Sequence, residues 1–385
     1  MTTFAIAMTY ILITSLPFWV SIVMLAIAVK TLVKRHDKPM RWLVLWIIAV
    51  ATLYGCHTVY FNHITSIVPI TDTIYVAMNL LVYPLYQTYI SEVTNRRPVS
   101  LRPKLLYLIF GLPALAAVLV GGTYIAMTAG QRLDFINANL YHGYTYSTTG
   151  LILLQEWLHT ACHIIFAVQV VLVVCSGFRD IRRFNSTIRQ LYADTEHREI
   201  KYIPALLLIF ILTSLLSSVV NVLGRNFFVD SYVVAFPAVG FSILLATLVW
   251  LGITQHFTIH DIPQEQEDET QQDDTKAERV PTAQSAQLYA KLEDIMNEQQ
   301  TYLQQDILLN DVAKLLGTNR TYLLRALSSC AHMTFKEYIN RKRIAHAEQL
   351  IANNPTMPKS EIATLSGYNS QSSFYRNYNL YRSEK

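Results

Sequence analysis

Charge is scarce in this sequence. Charged residues make up 15% of the 385-residue chain, hydrophobic residues make up 52%, and the mean hydropathy is +0.27. A typical soluble domain has about 25% charged residues. The hydrophobic surplus lies almost entirely before Gln255. The composition therefore excludes a single soluble domain and predicts a membrane part followed by a soluble part.

Cysteine and glycine are also scarce, and the familiar catalytic motifs are missing. The four cysteines lack the paired spacing of a zinc site or a disulfide framework. The 13 glycines form no nucleotide-binding loop after the apolar region, which argues against a kinase. Neither an HExxH motif nor a nucleophile elbow occurs. The sequence thus predicts that the protein is not an enzyme, and it indicates no cofactor.

Long apolar segments are what the sequence has in abundance. A helix needs about 20 apolar residues to cross the hydrocarbon core of a bilayer. Seven segments meet this requirement: Phe4–Val29, Trp42–Phe61, Thr71–Ile90, Leu105–Met127, Leu151–Cys175, Tyr202–Leu223 and Tyr232–Thr254. We therefore expect a seven-helix transmembrane bundle over residues 1–257.

The loops between these segments differ in charge. The only basic residues (lysine or arginine) in the even-numbered loops are Arg132 and Arg225. The odd-numbered loops are rich in lysine and arginine: Lys30, Lys34, Arg35, Lys38, Arg41, Arg96, Arg97, Arg102, Lys104, Arg179, Arg182, Arg183, Arg189, Arg198 and Lys201. Because positive loops stay on the cytoplasmic side, we expect the amino terminus outside and everything after Thr254 inside. This pattern predicts a multi-pass protein of the inner (cytoplasmic) membrane, with the lipid bilayer as a partner.

Residues 258–284 are acidic and lack apolar periodicity. Acidic side chains are spread from Asp261 to Glu278, and only Lys276 and Arg279 oppose them. Such a segment cannot bury enough surface to offset the entropy of ordering it. We therefore expect an acidic disordered linker.

Residues 285–385 have the periodicity of short helices. One helix-turn-helix pattern is centred on Gly317 and a second on Gly367. A longer helix lies between them, with Phe335 near its start and Pro355 beyond its end. The tail is therefore predicted to be a small helical double helix-turn-helix domain, which makes the whole protein all-α.

Many residues of this tail match the AraC/XylS-type DNA-binding domain in register across both units. The matching residues are Asp311, Val312, Ala313, Gly317, Asn319, Arg320, Tyr322, Leu323, Arg325, Phe335, Tyr338, Ile339, Asn340, Arg343, Ile344, Ala347, Glu361, Ile362, Ala363, Gly367, Tyr368, Ser370, Gln371, Ser372, Ser373, Phe374, Tyr375 and Arg376. About the last hundred residues therefore resemble this family. The resemblance implies that each unit places one recognition helix in the major groove of double-stranded DNA.

The resemblance also assigns DNA contacts by position. The base-reading residues are Thr321, Leu324 and Arg325 in the first recognition helix and Gln371, Ser372, Ser373 and Arg376 in the second. Arginine can bridge guanine, glutamine can bridge adenine, and serine can donate or accept. We expect Arg320 to contact phosphate, which sets register rather than sequence preference.

The tail departs from the family pattern in two places. Leu324 stands where the family has a polar residue. An apolar side chain at this position can contact only a thymine methyl group or the sugars of the groove wall. After the second recognition helix, Tyr378 and Asn379 replace a Phe-Lys pair. The family's following glycine, proline and last helix are not matched before Lys385. We therefore expect this domain to be C-terminally short.

One polar cluster occurs in the fifth apolar segment. Glu156, His159 and His163 stand at i, i+3 and i+7, so they share one helix face. His159 and His163 also have the spacing of two metal ligands on a helix. Ionisable groups within a membrane are costly and often functional. These residues are candidates for sensing a ligand, a proton or a metal, and simple polar contacts between helices are the alternative.

Together, these features predict a membrane-anchored one-component transcriptional regulator. It would sense an unknown small ligand through its transmembrane region, bind DNA with its cytoplasmic tail and act as a homodimer. One alternative is an intramembrane metal-dependent enzyme built on the Glu156 cluster. Another is a passive membrane anchor that carries a regulatory helical tail, and the tail itself has the alternative of an interaction module without DNA.

Overall fold

The computed structural model describes residues 2–143, 150–192, 212, 215–216, 219, 225–228, 232–255, 258–259 and 283–382. The regular structure in these ranges is helical and contains no β-strand, which confirms the all-α prediction. One isolated antiparallel bridge joins the backbones of Tyr192 and Leu308. The chain divides into two compact units, Met1–Arg182 with Tyr202–His256, and Arg183–Lys201 with Phe257–Lys385.

The first unit consists mainly of long apolar helices. These are α1 (Thr2–Arg35), α2 (Lys38–Phe61), α3 (Val68–Thr94), α4 (Pro103–Ala126), the short α5 (Ala129–Asp134), α6 (Gly150–Leu191) and α7 (Ala235–Thr254). Within the described ranges, six helices are long and apolar enough to cross a membrane. They match six of the predicted segments. The predicted sixth segment, Tyr202–Leu223, falls almost wholly outside the described residues, so the count of seven stays a prediction.

Local sequence explains where these helices begin. Asp37 precedes α2, and its carboxylate accepts a hydrogen bond from the backbone N–H of Met40 at 2.8 Å. Pro39 occupies the first turn of α2, where a backbone N–H has no helical partner in any case. Thr128 forms a reciprocal capping box with Gln131 at the start of α5.

The inner and outer faces of the first unit are both apolar. Leu43 and Ile47 of α2 and Leu80 of α3 are completely buried between helices. On the outer surface, Ile125 of α4 is 85% exposed and Phe236 of α7 is 79% exposed. Apolar side chains of this kind on the outside of long apolar helices suggest membrane association.

Six further α-helices lie in the described part of the second unit. These are α8 (Ala283–Gln299), α9 (Leu309–Leu315), α10 (Arg320–Ala326), α11 (Phe335–Asn353), α12 (Lys359–Leu365) and α13 (Gln371–Arg382). Two hydrophobic clusters hold them together. The first includes Leu292, Met296, Leu309, Val312, Leu323, Phe335 and Ile339. The second includes Ile344, Ala347, Ile362, Ala363, Tyr368 and Phe374. Because α11 contributes to both clusters, it forms the shared core of the two helix-turn-helix units.

The carboxyl-terminal end of α6 belongs to the second unit. There, Phe184, Ile188 and Leu191 pack with Ile259 and with Leu308, the residue that precedes α9. Most of the predicted acidic linker lies outside the described residues.

Candidate functional site

The first helix-turn-helix unit is formed by α9 and α10. Gly317 between them has φ +63°, a left-handed conformation that glycine adopts without steric cost. The backbone N–H groups of Gly317 and Thr318 donate to the carbonyls of Lys314 and Ala313, at 3.0 and 2.9 Å. Asn319 then starts α10 by accepting a hydrogen bond from a backbone N–H of its first turn. The glycine turn predicted from the sequence is thus present.

The second unit, formed by α12 and α13, repeats this geometry. Gly367 has φ +79°, and the N–H groups of Gly367 and Tyr368 donate to Thr364 and Ala363, both at 3.0 Å. Ser370 occupies the position that corresponds to Asn319, and its hydroxyl accepts from the backbone N–H of Ser373 at 3.1 Å. The two units therefore share one turn design.

Arg343 of α11 connects the two units. Its side chain is completely buried, and its Nε donates to the carbonyl of Tyr302 at 2.7 Å. Its Nη2 donates to the carbonyl of Gln304 at 2.6 Å. The guanidinium lies 5.3 Å from the ring centre of Tyr368 in the second unit. One side chain thus holds the segment before α9 against the turn between α12 and α13.

The predicted DNA-contacting residues of α10 differ in exposure. Thr321, Leu324 and Arg325 are half-buried, and Leu324 packs against the first hydrophobic cluster. Arg320 is only 4% exposed. It occupies the same helix face as the buried Leu323, three residues later, which explains why it turns inward. Arg320 therefore lies largely buried against its own helix pair, and its contact with phosphate stays a prediction.

The predicted residues of α13 divide in the same way. Gln371, Ser372 and Arg376 are exposed, as expected for a recognition helix. Ser373 is only 3% exposed, so its predicted place on the outer face is wrong. Its backbone carbonyl accepts from the side-chain amide of the buried Asn377, four residues later on the inward face. Contact between the exposed residues and DNA stays a prediction.

Exposed aromatic residues beside these positions were not assigned a DNA contact from the sequence. Tyr322 is 42% exposed, and the Arg325 guanidinium lies 6.0 Å from its ring centre. Tyr375 is 37% exposed, and the Lys359 ammonium lies 5.7 Å from its ring centre. Helical periodicity is the one sequence feature that predicts their exposure, because each tyrosine is offset from the inward positions of its helix.

Another basic side chain of the second unit is held within the protein. The Nζ atom of Lys342 lies 2.6 Å from Oε2 of Glu293 and 3.0 Å from Oδ1 of Asn297. Burial acts to raise the pKa of Glu293, but hydrogen bonds from Lys342 and Tyr338 outweigh it and leave this pKa below its usual range. This contact ties α8 to α11.

In the first unit, the predicted polar cluster does not converge on one point. His159 is 9% exposed and points into the helices, whereas His163 is exposed. Glu156 is half-buried and accepts a hydrogen bond from the side chain of Asn139. No group of three or more histidine, cysteine, aspartate or glutamate residues suited to a metal ion occurs in the described ranges.

His159 instead belongs to a buried network that the sequence did not indicate. Its Nε2 atom lies 2.8 Å from Oδ2 of Asp72, which also accepts from the Tyr124 hydroxyl at 2.9 Å. Its Nδ1 atom lies 2.9 Å from the carbonyl of Gln155, a group that can only accept. The network joins α3, α4 and α6.

Comparison with known proteins bears on the second unit. A family model described as a helix-turn-helix domain matches residues 312–383, and this segment is an AraC-type domain. No curated protein and no solved structure matches the chain significantly. Domains of this type support a role as a DNA-binding transcription regulator, a class whose members are usually not enzymes.

Proposed function

We propose that the protein is a membrane-anchored one-component transcriptional regulator. It binds double-stranded DNA with its second unit and responds to a signal through the apolar helices of its first unit. One observation carries the proposal: an AraC-type helix-turn-helix domain lies on the same chain as six helices long and apolar enough to cross a membrane.

The chemistry of the exposed residues supports DNA reading. Gln371 and Arg376 of α13 are exposed and suit adenine and guanine edges in the major groove. Arg325 of α10 supplies a second potential guanine contact. The repeated turn geometry supports the docking mode in which each unit offers one recognition helix to the groove.

The positions of the basic residues support the proposed membrane orientation. Lys34 and Arg35 lie in the last turn of α1, and Arg102 and Lys104 lie where α4 begins. Basic residues at these helix ends favour the cytoplasmic side. This orientation places the DNA-binding unit in the compartment that contains the chromosome, and the host membrane is then the inner membrane.

The helix α6 supports a route for signalling. It runs without interruption from Gly150 to Leu191 and contains His159 of the buried network. Its carboxyl-terminal end packs with Leu308 within the second unit. A ligand acts only if it binds one arrangement of the helices better than another. We further infer that the active form is a homodimer, because two linked tails bind paired DNA sites at a higher effective concentration.

Mapping the chromosomal sites that the intact protein occupies in cells tests the proposal. We expect discrete sites for the wild type and their loss in the double variant Arg325→Ala and Arg376→Ala. Gln349→Ala is the control, since Gln349 is exposed on α11 outside both recognition helices. Occupancy that survives in the double variant would contradict the assigned DNA surface.

Topology and sensing require separate measurements. A tag placed after Lys385 should be inaccessible from outside intact cells, and labelling from outside would overturn the proposed orientation. A reporter fused to a mapped promoter then distinguishes a sensor from a passive anchor. If conditions that change the wild-type reporter also change the Asp72→Ala and His159→Ala variants equally, the buried network has no part in sensing.

A further inference from the structure

A cavity of about 80 Å³ lies among α2, α3, α6 and α7 in the first unit. One water molecule needs about 10–15 Å³ of such volume, so the cavity has room for a larger occupant. Its wall is aromatic and aliphatic, with Trp46 and Tyr54 from α2, Tyr83 and Tyr86 from α3, and Phe166 from α6. No charged side chain contributes to the wall in the described part of the chain. An uncharged and mostly apolar occupant therefore fits it.

Trp46 supplies a specific polar feature at this wall. The side chain is only 4% exposed, and its ring centre lies 4.8 Å from that of Tyr86. Its indole Nε1–H is buried and finds no hydrogen-bond partner within the described ranges. Buried donors in proteins are nearly always paired. An unpaired donor at the wall of a cavity calls for an acceptor on the occupant.

The arrangement limits the chemistry of that occupant. Indole nitrogen only donates, so the occupant must offer an oxygen or nitrogen that accepts. Aromatic rings on several sides favour a flat ring that can stack or lie edge to face. The amide of Asn79, which also lines the cavity, offers a second polar contact.

We propose that this cavity binds a small, uncharged ring compound bearing a carbonyl oxygen, and that this oxygen accepts the Trp46 N–H. The compound reaches the site from the lipid phase, where uncharged ring compounds dissolve. This inference rests on the proposed function in one respect: occupancy of the cavity serves as the signal that the regulator reads. Such a site places the ligand between helices whose packing it can shift.

Fluorine NMR on the full chain in lipid nanodiscs, labelled with 5-fluorotryptophan, tests the binding. The Trp46 signal is assigned from its absence in Trp46→Phe. Acetophenone is the probe, and ethylbenzene is the matched compound without an acceptor. We expect a saturable shift of the Trp46 signal, with acetophenone binding about three- to tenfold tighter than ethylbenzene. Trp19 and Trp250 are 57% and 60% exposed, and they report simple partitioning into lipid within the same sample.

A linear shift of Trp46 that parallels Trp19 and Trp250 would overturn the proposal, as would equal affinity for the two compounds. A second variant, Val82→Phe, fills the cavity from α3 while keeping Trp46 in place. It should abolish the saturable shift, and saturable binding that persists would contradict this location.

DNA binding by the same samples is measured in parallel. If Trp46 does not respond but DNA binding is intact, the proposed ligand site is rejected and the proposed regulator function stands. If DNA binding is absent, the proposed regulator function is rejected.

Discussion

His159 lies 2.8 Å from Asp72, although the two residues are 87 positions apart in the chain. Both are buried, and the Tyr124 hydroxyl donates to the same carboxylate oxygen. The carboxyl group of Asp72 thus contacts polar partners on two other helices. A buried group with two such partners fixes how α3, α4 and α6 pack.

Replacing Asp72 should therefore destabilise the first unit. In Asp72→Ala, the His159 ring and the Tyr124 hydroxyl lose a buried hydrogen-bond partner, at a cost of about 1–3 kcal/mol. The double variant with His159→Ala should cost less than the sum of the single variants, because they remove one shared interaction. Thermal unfolding of the full chain in detergent measures this. Asp134→Asn, at an exposed position of α5, is the control, and strict additivity would refute the coupling.

Arg343 should be essential to the stability of the second unit. Arg343→Met keeps the volume but leaves the carbonyls of Tyr302 and Gln304 buried without donors, so we expect a loss of about 3 kcal/mol or more. Pulse proteolysis of the full chain in urea, read with a carboxyl-terminal tag, gives the midpoint. Arg341→Met is the control: it removes a half-exposed pair with Glu337 at 3.2 Å and a contact of the guanidinium with the Tyr381 ring at 5.3 Å, together worth about 1 kcal/mol. Similar midpoints for the two variants would contradict the assignment.

The two glycine turns give a matched pair of substitutions. Both glycines have positive φ, so alanine strains either backbone by about 1–2 kcal/mol. A Cβ at Gly317 would meet nothing within 4 Å, whereas a Cβ at Gly367 would lie 2.6 Å from the carbonyl oxygen of Leu303. Gly367→Ala should therefore lower the urea midpoint clearly more than Gly317→Ala. Equal effects would mean that the contact with Leu303 relaxes freely.

Much of this fold could be predicted from the sequence because its signals are local. Apolar length identified the long helices, and Gly317 and Gly367 marked turns that require φ values glycine tolerates. The inward direction of Arg320 and Ser373 was missed, because a polar residue near a helix start gives no local sign of burial. The pairing of His159 with Asp72 was missed for another reason: it depends on how distant helices pack. The unpaired donor of Trp46 depends on the same packing.

The stability of the second unit should fall in mild acid through His346. Burial lowers the pKa of His346 from its ordinary value of 6.5, and its ring lies 6.3 Å from that of Tyr302. Between the lowered pKa and 6.5, the unfolded chain binds more protons than the folded one. Stability therefore rises with pH through this window and is lost as pH falls below 6.5. His346→Gln should remove this dependence, as measured by urea midpoints of both proteins at pH 5.5 and 7.5. A persistent slope in the variant would assign the effect elsewhere.

Gln371 gives the sharpest test of how the second unit reads DNA. Its side chain is exposed in the first turn of α13, and a side-chain amide can bridge the N6 and N7 atoms of adenine. Gln371→Ala should relax preference at one base pair by about 1–3 kcal/mol and leave the other positions unchanged. Binding of the full chain in nanodiscs to operator variants, at fixed salt, measures each position. Gln349→Ala removes the same group from α11 and should change nothing. A uniform loss across all sequences in Gln371→Ala would instead indicate a phosphate contact or a folding defect, since neither distinguishes one base from another.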